Sequence, residues 1–470
     1  MRARRAALTL SFLKIPAKQA APVRKRRLRK TVTSLSNIVF SPEVLPVKKA
    51  PFRRAVFIFL FFFFAFDAAP QSKILIPMDL TQTDHLKAYG ITYRALEKGY
   101  LADWLLNYRG GSFAIDFSDE MVLDCRLQGV SFELLDAAAT VDIYSFVQQE
   151  DQNMDVVRLE KAPKVAVYVP PGFHPWDDAV TLALEYAGIP YDKFWNEEIL
   201  RGDLAKYDWL HLHHEDFTGQ YGKFYASYAN APWYIENQKR YEDDAYRLGY
   251  AKVSKMMLDV AKMIKNFIAS GGFMFAMCSA TDSYDIALAA EGTDIAAEMF
   301  DGDPADPAAQ NKLDYSKTLA FTDFLLEQNP YVYEYSDIDI QPSEILDYGN
   351  DYFTLFEFSA KYDPIPTMLT QCHTNVIKGF MGQTTMFRRN RVKKSVIVLG
   401  ERKDTDQLKY LHGTFGRGFF SFYAGHDPED YQHAVSDPPT DLNLHKNSPG
   451  YRLILNNILF PAAKKKKQKT

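Results

Sequence analysis

Short apolar segments alternate with longer amphipathic ones through the middle of the chain, and this alternation is what most restricts its fold. The apolar segments predict four strands, at residues 164–169, 191–195, 208–213 and 273–277. The amphipathic segments predict three helices between them, at residues 177–187, 198–205 and 253–269. Consecutive strands joined through a helix run parallel, because the helix carries the chain back to the end of the sheet from which the first strand began. The predicted fold class is therefore α/β, with a parallel sheet covered by helices on both faces.

The region before this core predicts a smaller unit of its own. Strands at 73–80 and 102–108, with a helix at 85–98 between them, form one β-α-β unit. A further strand is expected near 129–135. Because the segment at 150–162 is polar, it is predicted to connect this unit to the core.

The region after the core predicts an insertion and then a return to the sheet. Residues 301–393 are rich in Tyr, Phe and Asp and show no strand–helix alternation. A strand at 394–400, a hairpin at 410–423 turned at 416–418, and a helix at 449–460 follow. The predicted divisions are a basic leader with a signal-like segment (1–72), an N-terminal α/β unit (73–160), the α/β core (161–300), an insertion (301–393), the C-terminal return (394–463) and a Lys-rich tail (464–470).

The leader predicts export. An apolar run of 12 residues, 55–66, follows Lys48, Lys49, Arg53 and Arg54. A bilayer needs about 20 apolar residues, so this run is too short to span it and fits the apolar region of a secretory signal. The mature protein is expected to be periplasmic or extracellular, and to contact a membrane only through this segment if it is uncleaved.

Charge is distributed unevenly along the chain, and this bears on the partner. Residues 1–69 hold 15 Lys and Arg against Glu43 and Asp67, whereas the remaining residues hold 40 basic and 57 acidic groups. Phosphate binding needs a basic surface, so the acidic body argues against nucleic acid as a partner. The expected partner is a small molecule, a carbohydrate or a peptide.

Cys278 is predicted to stand where an apolar strand becomes a helix. The strand at 273–277 precedes it, and Thr281 or Asp282 is expected to cap a helix at 284–290. A thiol at a helix N-terminus faces unpaired N–H groups that favour the thiolate, as in a nucleophile elbow. The chain has three cysteines. One disulfide, between Cys125 and Cys372, is possible in an exported protein and would leave Cys278 as a free thiol.

Polar clusters follow two other predicted strands. His211, His213, His214, Glu215 and Asp216 end one strand, and His426, Asp427, Glu429 and Asp430 end the second arm of the late hairpin, with His433 just beyond. Ligands bind at the carboxyl ends of strands in such sheets, so the clusters and Cys278 are expected to converge.

This convergence supports two chemistries. In the first, Cys278 is a nucleophile, His426 is its base, and Glu429 or Asp427 orients the imidazole; the alternative is an ordinary buried thiol. In the second, His213 or His214 binds zinc together with Asp216 and His426; the alternative is a hydrogen-bonded polar rim.

Two further features predict ligand contacts. Residues 217–241 carry eight aromatic side chains, among them Tyr221 and Trp233, and would form a lid that stacks sugar rings or peptide side chains; packing over the sheet is the alternative. With His213, His214, Glu215 and Asp216, these two residues make the predicted substrate-binding set. Asp301, Asp303 and Asp306 could bind calcium after export, or form a solvated turn.

The order of these features resembles the class I glutamine amidotransferase-like fold, and more narrowly its ThuA-like branch. The matching residues are Gly425-His426-Asp427 and the helix at 451–459, and the match covers residues 163–300 and 394–461. The resemblance implies a flavodoxin-like parallel sheet. Amidotransferases flank the cysteine with glycines, whereas this chain has Ala276 and Ala280.

The chain from residue 73 onward also resembles an exported bacterial family commonly labelled asparagine synthetase B. The stretches that match are KILIPMDLTQTDHLKAYG, LLNYRGGSF, WLHLHHEDFTGQYGKFY and AGHDPEDYQH. Three functions are therefore expected, in this order: a hydrolase that uses Cys278 with the histidine and carboxylate rim; a non-catalytic carbohydrate- or peptide-binding protein; and a glutamine-dependent amidotransferase, as that label implies.

Overall fold

A computed structural model describes residues 71–171, 178–340, 344, 351–432, 434 and 437–464. The signal-like run at 55–66, His433 and residues 465–470 of the Lys-rich tail lie outside the described residues. No helix in the described ranges is both long enough and apolar enough to cross a membrane.

The N-terminal part of the described chain forms a five-stranded antiparallel sheet. Its strands are β1 (Gln71–Ile76), β2 (Ala102–Leu106), β3 (Ser112–Asp116), β4 (Glu133–Asp136) and β5 (Asp155–Leu159), and its helices are α1 (His85–Glu97), α2 (Asp119–Gln128) and α3 (Ala137–Val147). The strand order is β4-β1-β3-β2-β5. The predicted strand–helix–strand sequence is present, but β3 inserts between β1 and β2 and pairs antiparallel with both.

A larger sheet of ten strands follows. Its strands are β6 (Val165–Tyr168), β7 (Asp192–Phe194), β8 (Trp209–Leu212), β9 (Phe273–Met277), β10 (Tyr352–Leu355), β11 (Val376–Lys378), β12 (Phe387–Arg388), β13 (Ile397–Glu401), β14 (Gln407–Phe415) and β15 (Gly418–Tyr423). The order is β11-β10-β13-β14-β15-β9-β8-β6-β7, and β12 pairs with β14. The predicted parallel pairing holds from β7 to β15. Beyond β15 the sheet is antiparallel, because a two-residue turn at Gly416, whose φ is +61°, reverses the chain into β15 from β14.

Ten helices in the described ranges accompany this sheet. They are α4 (Ala179–Ala187), α5 (Asn196–Arg201), α6 (Tyr225–Tyr228), α7 (Pro232–Arg247), α8 (Val253–Ala269), α9 (Asp282–Ala289), α10 (Glu298–Asp301), α11 (Ala309–Lys312), α12 (Pro364–Leu369) and α13 (Pro449–Leu459). The protein therefore belongs to the mixed α/β class.

Both faces of the parallel strands are buried. Phe273 and Phe275 of β9 pack in one apolar cluster with residues of α1, α4 and α13. Met274 and Ala276, which point to the opposite face, pack in a second cluster with residues of α5, α8 and α9. Strand β9 is apolar at every position because its side chains meet a helix layer on each face.

Candidate functional site

Three consecutive strands of the large sheet bring the predicted polar segments to one edge. Strand β9 lies between β8 and β15, and all three run in the same direction. Beyond the strands, the Ala280 N–H donates to the His213 carbonyl at 3.0 Å, and the Cys278 N–H donates to the Gly425 carbonyl at 3.1 Å. The segments that carry His213, Cys278 and His426 are therefore fixed beside one another by backbone hydrogen bonds.

Three histidine side chains form the centre of this edge. The His213 and His426 rings meet edge to face with centroids 4.5 Å apart, and the His214 ring lies 5.3 Å from His213 and 6.1 Å from His426. Each of the three rings offers one nitrogen, and these three nitrogens all lie within 4.8 Å of one another. His213 and His426 are buried, whereas His214 is half-buried. We call His213, His214 and His426 the histidine cluster.

Asp178 supports the histidine cluster from behind. His211 Nε2 lies 3.2 Å from both carboxylate oxygens of Asp178. His213 Nδ1 lies 3.3 Å from His211 Nε2 and 3.5 Å from an Asp178 oxygen. Burial opposes ionisation of Asp178, but the neighbouring His211 and His213 outweigh it and hold the pKa of that carboxyl below its usual range. Because Nδ1 of His213 lies against His211 and Asp178, Nε2 is the nitrogen that would face a cation.

Sequence reasoning missed Asp178. It is the N-cap of α4, and its carboxylate accepts the N–H groups of Val180 and Thr181 at 2.8 and 3.1 Å. The available signal was an acidic residue immediately before an apolar helix, in the segment that follows the strand next to the one that ends in histidines. Many helices begin with a capping carboxylate, so this pattern does not distinguish a residue that only caps a helix from one that also contacts the histidines.

Cys278 has the strained backbone of an elbow, but its thiol does not have the expected character. Its φ is +49°, a left-handed value that is uncommon for a residue other than glycine. The side chain is 3% exposed, and the Gln383 N–H lies 3.4 Å from Sγ. Burial raises the pKa of the Cys278 thiol to about 11, against hydrogen bonds from the backbone of Gln383, Ser279 and Thr384 that lower it.

The prediction that a helix N-terminus favours the Cys278 thiolate is therefore corrected. A 3-10 turn at Cys278–Ala280 separates the thiol from α9, which begins at Asp282. Thr281 precedes that helix but makes no side-chain capping bond. Burial of the thiol away from water raises its pKa by more than the few N–H groups that reach it lower that pKa.

The carboxylates predicted to orient His426 have other contacts. Glu429 accepts the Tyr431 hydroxyl at 2.6 Å and pairs with His445 Nδ1 at 2.9 Å. Asp427 accepts the Glu429 N–H at 2.9 Å. Side-chain hydrogen bonds from Thr440 and Tyr451 also reach Asp427, although burial dominates and raises the pKa of its carboxyl. These contacts use the two carboxylates to hold the loop after β15, and their role in orienting His426 stays a prediction.

Asp216 and Glu215 also differ from prediction. Both Asp216 oxygens accept hydrogen bonds from the loop that follows, from the N–H groups of Thr218, Gln220 and Gly222 at 2.7–3.0 Å. The Glu215 carboxylate accepts the His213 N–H at 2.8 Å. The side chains that could hold a metal ion together are therefore His213, His214 and His426. Asp216 is not one of them, because its carboxylate accepts the N–H groups of the loop.

The aromatic insertion is packed inward at Tyr221. That side chain is 4% exposed and meets Tyr234, Tyr241 and Phe300 edge to face or tilted. Trp233 is 40% exposed and contacts the rings of Phe224 and Tyr228. These contacts correct the expectation that Tyr221 stacks a ligand, and they agree with the alternative of aromatic packing.

The acidic turn, for which a calcium site and a solvated turn were the two alternatives, holds a lysine. Lys252 Nζ lies 2.7 Å from Asp294 and 3.1 Å from Asp301, and it also pairs with Asp303. Asp306 pairs with Lys312 and accepts the Thr293 hydroxyl. Ammonium groups therefore pair with the three carboxylates for which calcium was one of the two alternatives.

A second set of buried titratable groups lies near Cys278 and was not predicted. Thr384 Oγ1 donates to Asp282 at 2.9 Å, and burial raises the pKa of Asp282 to about 7. Lys409 Nζ donates to the carbonyls of Phe380 and Thr385, and burial lowers the pKa of Lys409 to about 7. The only sequence signal was a lysine within the apolar strand β14.

Comparison with known proteins leaves the family open. No family model matches the chain, and no curated protein matches it. Among solved structures, a cytoplasmic protein from Salmonella typhimurium is 10% identical, with a TM-score of 0.30, covering 64% of this chain and 100% of its own. Another, from strain LT2, is 11% identical, with a TM-score of 0.33 and the same coverage. A beta-galactosidase from Bacillus circulans sp. alkalophilus is 12% identical, with a TM-score of 0.23, covering 61% of this chain and 32% of its own. Likenesses this weak support no conclusion about function.

Proposed function

We propose that this protein is a hydrolase that works with a divalent metal ion, best matched by zinc, held by the histidine cluster. The observation that carries the proposal is the convergence of one ring nitrogen each from His213, His214 and His426 within 4.8 Å. Three imidazoles with a fourth position left for water are a common ligand set of catalytic zinc. Such an ion supplies a hydroxide near neutral pH by lowering the pKa of its bound water to about 7.

The donor atoms fit this ion in chemistry and nearly in spacing. Ligand nitrogens about 2.0–2.1 Å from a tetrahedral zinc ion lie about 3.4 Å from one another. A group spread over at most 4.8 Å reaches that spacing with side-chain shifts of about 1 Å or less. Neutral imidazole suits zinc better than calcium, which prefers oxygen ligands.

Asp178 gives the cluster the support that a metal-binding histidine needs. A carboxylate on the second ring nitrogen fixes the tautomer and ring orientation and makes the first nitrogen more basic. Asp178 lies 3.5 Å from Nδ1 of His213 and also contacts His211, whose Nε2 is 3.2 Å from the carboxylate and 3.3 Å from the same Nδ1. The pKa of Asp178 is held low, so the carboxylate is negatively charged at neutral pH. In this proposal Asp178 is a positioning residue, and the half-buried His214 lies on the side open to substrate.

The sheet topology supports both the location and the finer fold. Numbered along the chain, the parallel strands β6, β7, β8, β9 and β15 lie in the order 2-1-3-4-5. This is the order of flavodoxin-like sheets, in which ligands bind where the connections diverge, between the first and third strands. Asp178 comes shortly after β6 and the first two histidines of the cluster follow β8, which supports a flavodoxin-like, amidotransferase-like core with its site at this point.

Metal analysis of the purified protein tests the proposal. We expect roughly one zinc ion per chain in the unaltered protein and a loss of most of it in His426→Ala and His214→Ala. The matched control is His445→Ala, which removes a partly exposed imidazole paired with Glu429 and should leave zinc binding unchanged. A protein that binds no zinc after dialysis against it, or one in which all three variants bind equally, would contradict the proposal.

A thiol mechanism is the second candidate, and the left-handed backbone of Cys278 is the observation that favours it. Elbows that present a catalytic nucleophile hold that residue in a strained turn between a strand and a helix. The Gln383 N–H beside Sγ could also stabilise an oxyanion. Hydrolysis of a panel of generic esters and amides distinguishes the two mechanisms. Inhibition by a zinc chelator and retention of activity in Cys278→Ala support the metal mechanism, whereas the reverse pattern supports the thiol.

A further inference from the structure

Four aromatic side chains form one connected group at the surface, which we call the aromatic platform: Phe224, Tyr228, Trp233 and Tyr333. The centroid of the Phe224 ring lies 5.8 Å from that of Trp233 and 5.5 Å from that of Tyr333. The Tyr228 ring contacts both Phe224, at 5.9 Å, and Trp233, at 5.1 Å. Unlike the inward-packed Tyr221, Trp233 and Tyr333 are 40% and 38% exposed. Single apolar residues at a surface are ordinary, whereas a contiguous group of rings indicates a binding surface.

The aromatic platform lies beside the candidate site, and Gln383 connects the two. The side-chain amide of Gln383 donates to the carbonyls of Gly222 and Tyr333 at 2.6 and 3.3 Å. The backbone N–H of the same residue lies 3.4 Å from Cys278 Sγ, on the edge of the sheet that carries the histidine cluster. Burial raises the pKa of the Tyr333 hydroxyl, and the Cys278 thiol raises it further, which agrees with the closeness of these two side chains.

A buried lysine fixes the two segments that carry the platform against each other. The Lys223 ammonium donates to the carbonyls of Glu327 and Glu334, both at 2.7 Å. The φ of Lys223 is +54°, a left-handed value that costs energy in a residue other than glycine and persists where the surroundings enforce it. The loop that carries Tyr333 is therefore held beside Phe224, and the rings need little ordering when a ligand binds.

The chemistry of the platform favours a neutral ligand with apolar faces and polar edges. The side chains of Trp and Tyr combine an apolar ring face with a polar tip. The acidic body of the chain disfavours an anionic ligand. An extended peptide is held through main-chain hydrogen bonds to a strand edge, but the platform stands on α6, the first turn of α7 and the loop at 327–335. Sugar rings match the platform, because their C–H faces stack on aromatic rings and their hydroxyl groups reach the polar tips.

We propose that the aromatic platform binds a neutral carbohydrate chain, and that this carbohydrate is the substrate of the site at the histidine cluster. The assignment as substrate rests on the proposed hydrolase function, whereas the binding does not. Tyr331 is 63% exposed, contacts the Tyr225 ring and lies two positions before Tyr333, so it extends the surface toward further sugar units.

Native electrophoresis of the full chain through gels that contain a neutral polysaccharide tests the binding. The probes are hydroxyethylcellulose, xyloglucan, galactomannan, starch and arabinan, and we expect at least one of them to retard the protein. Trp233→Ala should weaken binding to that polysaccharide about tenfold, the loss typical of a central aromatic contact. The more exposed Tyr331→Ala should fold normally and weaken binding about threefold or more.

Tyr246→Ala is the matched control for these variants. It removes a tyrosine that is 87% exposed on the same helix, about 20 Å along α7 from Trp233, and should bind as the unaltered protein does. Retardation by none of the five polysaccharides, or equal binding in all three variants, would overturn the proposal. Binding of reduced, carboxymethylated lactalbumin in place of a polysaccharide, lost in the two platform variants, would also overturn it, because the platform would then recognise peptide.

Two further measurements distinguish this proposal from the proposed function. His426→Ala should lose zinc but bind the polysaccharide as the unaltered protein does. A protein that binds zinc but no polysaccharide rejects the platform alone, whereas the reverse result rejects the metal site alone. The bound polysaccharide should also inhibit hydrolysis of a generic ester by covering the histidine cluster. If ester hydrolysis is undiminished at saturating polysaccharide, the carbohydrate is not the substrate of that site.

Discussion

The Nδ1 atom of His213 lies 3.5 Å from a carboxylate oxygen of Asp178, although the two residues are 35 positions apart along the chain. Asp178 reaches this position because it caps α4 at the carboxyl end of β6, directly beside the end of β8. One carboxylate therefore links the start of a helix to the proposed metal ligands.

Asp178→Asn is expected to weaken zinc binding by about 10–100-fold. The amide keeps the size and can still cap α4, but it carries no charge to hold the tautomer and orientation of His213. Competition with a chromophoric zinc chelator measures the affinity. Asp136→Asn is the matched control, since Asp136 also caps a helix, accepting the Ala139 N–H at 2.8 Å in the smaller sheet. Equal affinities for the two variants would contradict the role given to Asp178.

Asp282 is expected to make the protein less stable as the pH rises. Burial raises the pKa of this carboxyl to about 7 in the folded state, from 3.8 as its reference value. The folded state therefore holds a proton that the unfolded state has lost, and stability falls between about pH 4 and pH 7 by up to about 1.4 kcal/mol per pH unit. Urea unfolding across this range measures the slope. Asp282→Asn mimics the protonated form and should remove most of this loss, whereas an unchanged slope would show that Asp282 is not its source.

Cys278 is expected to be a slow nucleophile toward iodoacetamide. Its thiol has a pKa raised to about 11 by burial, and only the thiolate reacts. The alkylation rate at pH 8 should be low at Cys278 and also at the buried Cys125, whose pKa burial raises to about 12, and at Cys278 it should rise with pH throughout the range from 7 to 10. Peptide mass spectrometry after timed quenching measures each cysteine separately. Rapid alkylation of Cys278 below pH 8 would favour the thiol mechanism over the metal one.

The sequence predicted the strands and helices of the parallel core, but it missed β3, and it took the segment that contains β5 for a connection. Strand β9 was placed to the residue, because an apolar run bounded by Gly272 and Cys278 has little freedom in its limits. The insertion of β3 between β1 and β2 was missed, since its pairing with β1 joins residues about 40 positions apart. The role of Asp216 was missed for a related reason. Its carboxylate is used by a loop whose backbone N–H groups carry no signal in the side-chain pattern.

Lys252 is expected to exclude calcium from the acidic turn that it holds together. Its ammonium lies among Asp294, Asp301 and Asp303, so millimolar calcium should leave the melting temperature of the unaltered protein unchanged. Lys252→Met should lower the melting temperature, because three carboxylates then repel one another. Calcium should restore part of this loss, since carboxylate oxygens are its preferred ligands. Stabilisation of the unaltered protein by calcium would show that the lysine does not occupy the place of the ion.

Gly382 is expected to tolerate no side chain without a loss of stability, because it packs directly against the backbone that carries His426. A methyl group at this position would lie 2.7 Å from the backbone nitrogen of His426 and 2.9 Å from the Cα of Gly425. Both atoms are backbone, so the segment that carries His426 would have to shift. We expect Gly382→Ala to cost about 1–3 kcal/mol of stability and to weaken zinc binding together with it. Gly292→Ala is the matched control, because nothing lies within 4 Å of the added methyl group there. Chemical unfolding and zinc titration of the two variants measure both effects. If Gly382→Ala lost stability but bound zinc normally, the position of the His426 segment would not control the metal site, and the link between backbone packing and the histidine cluster would fail.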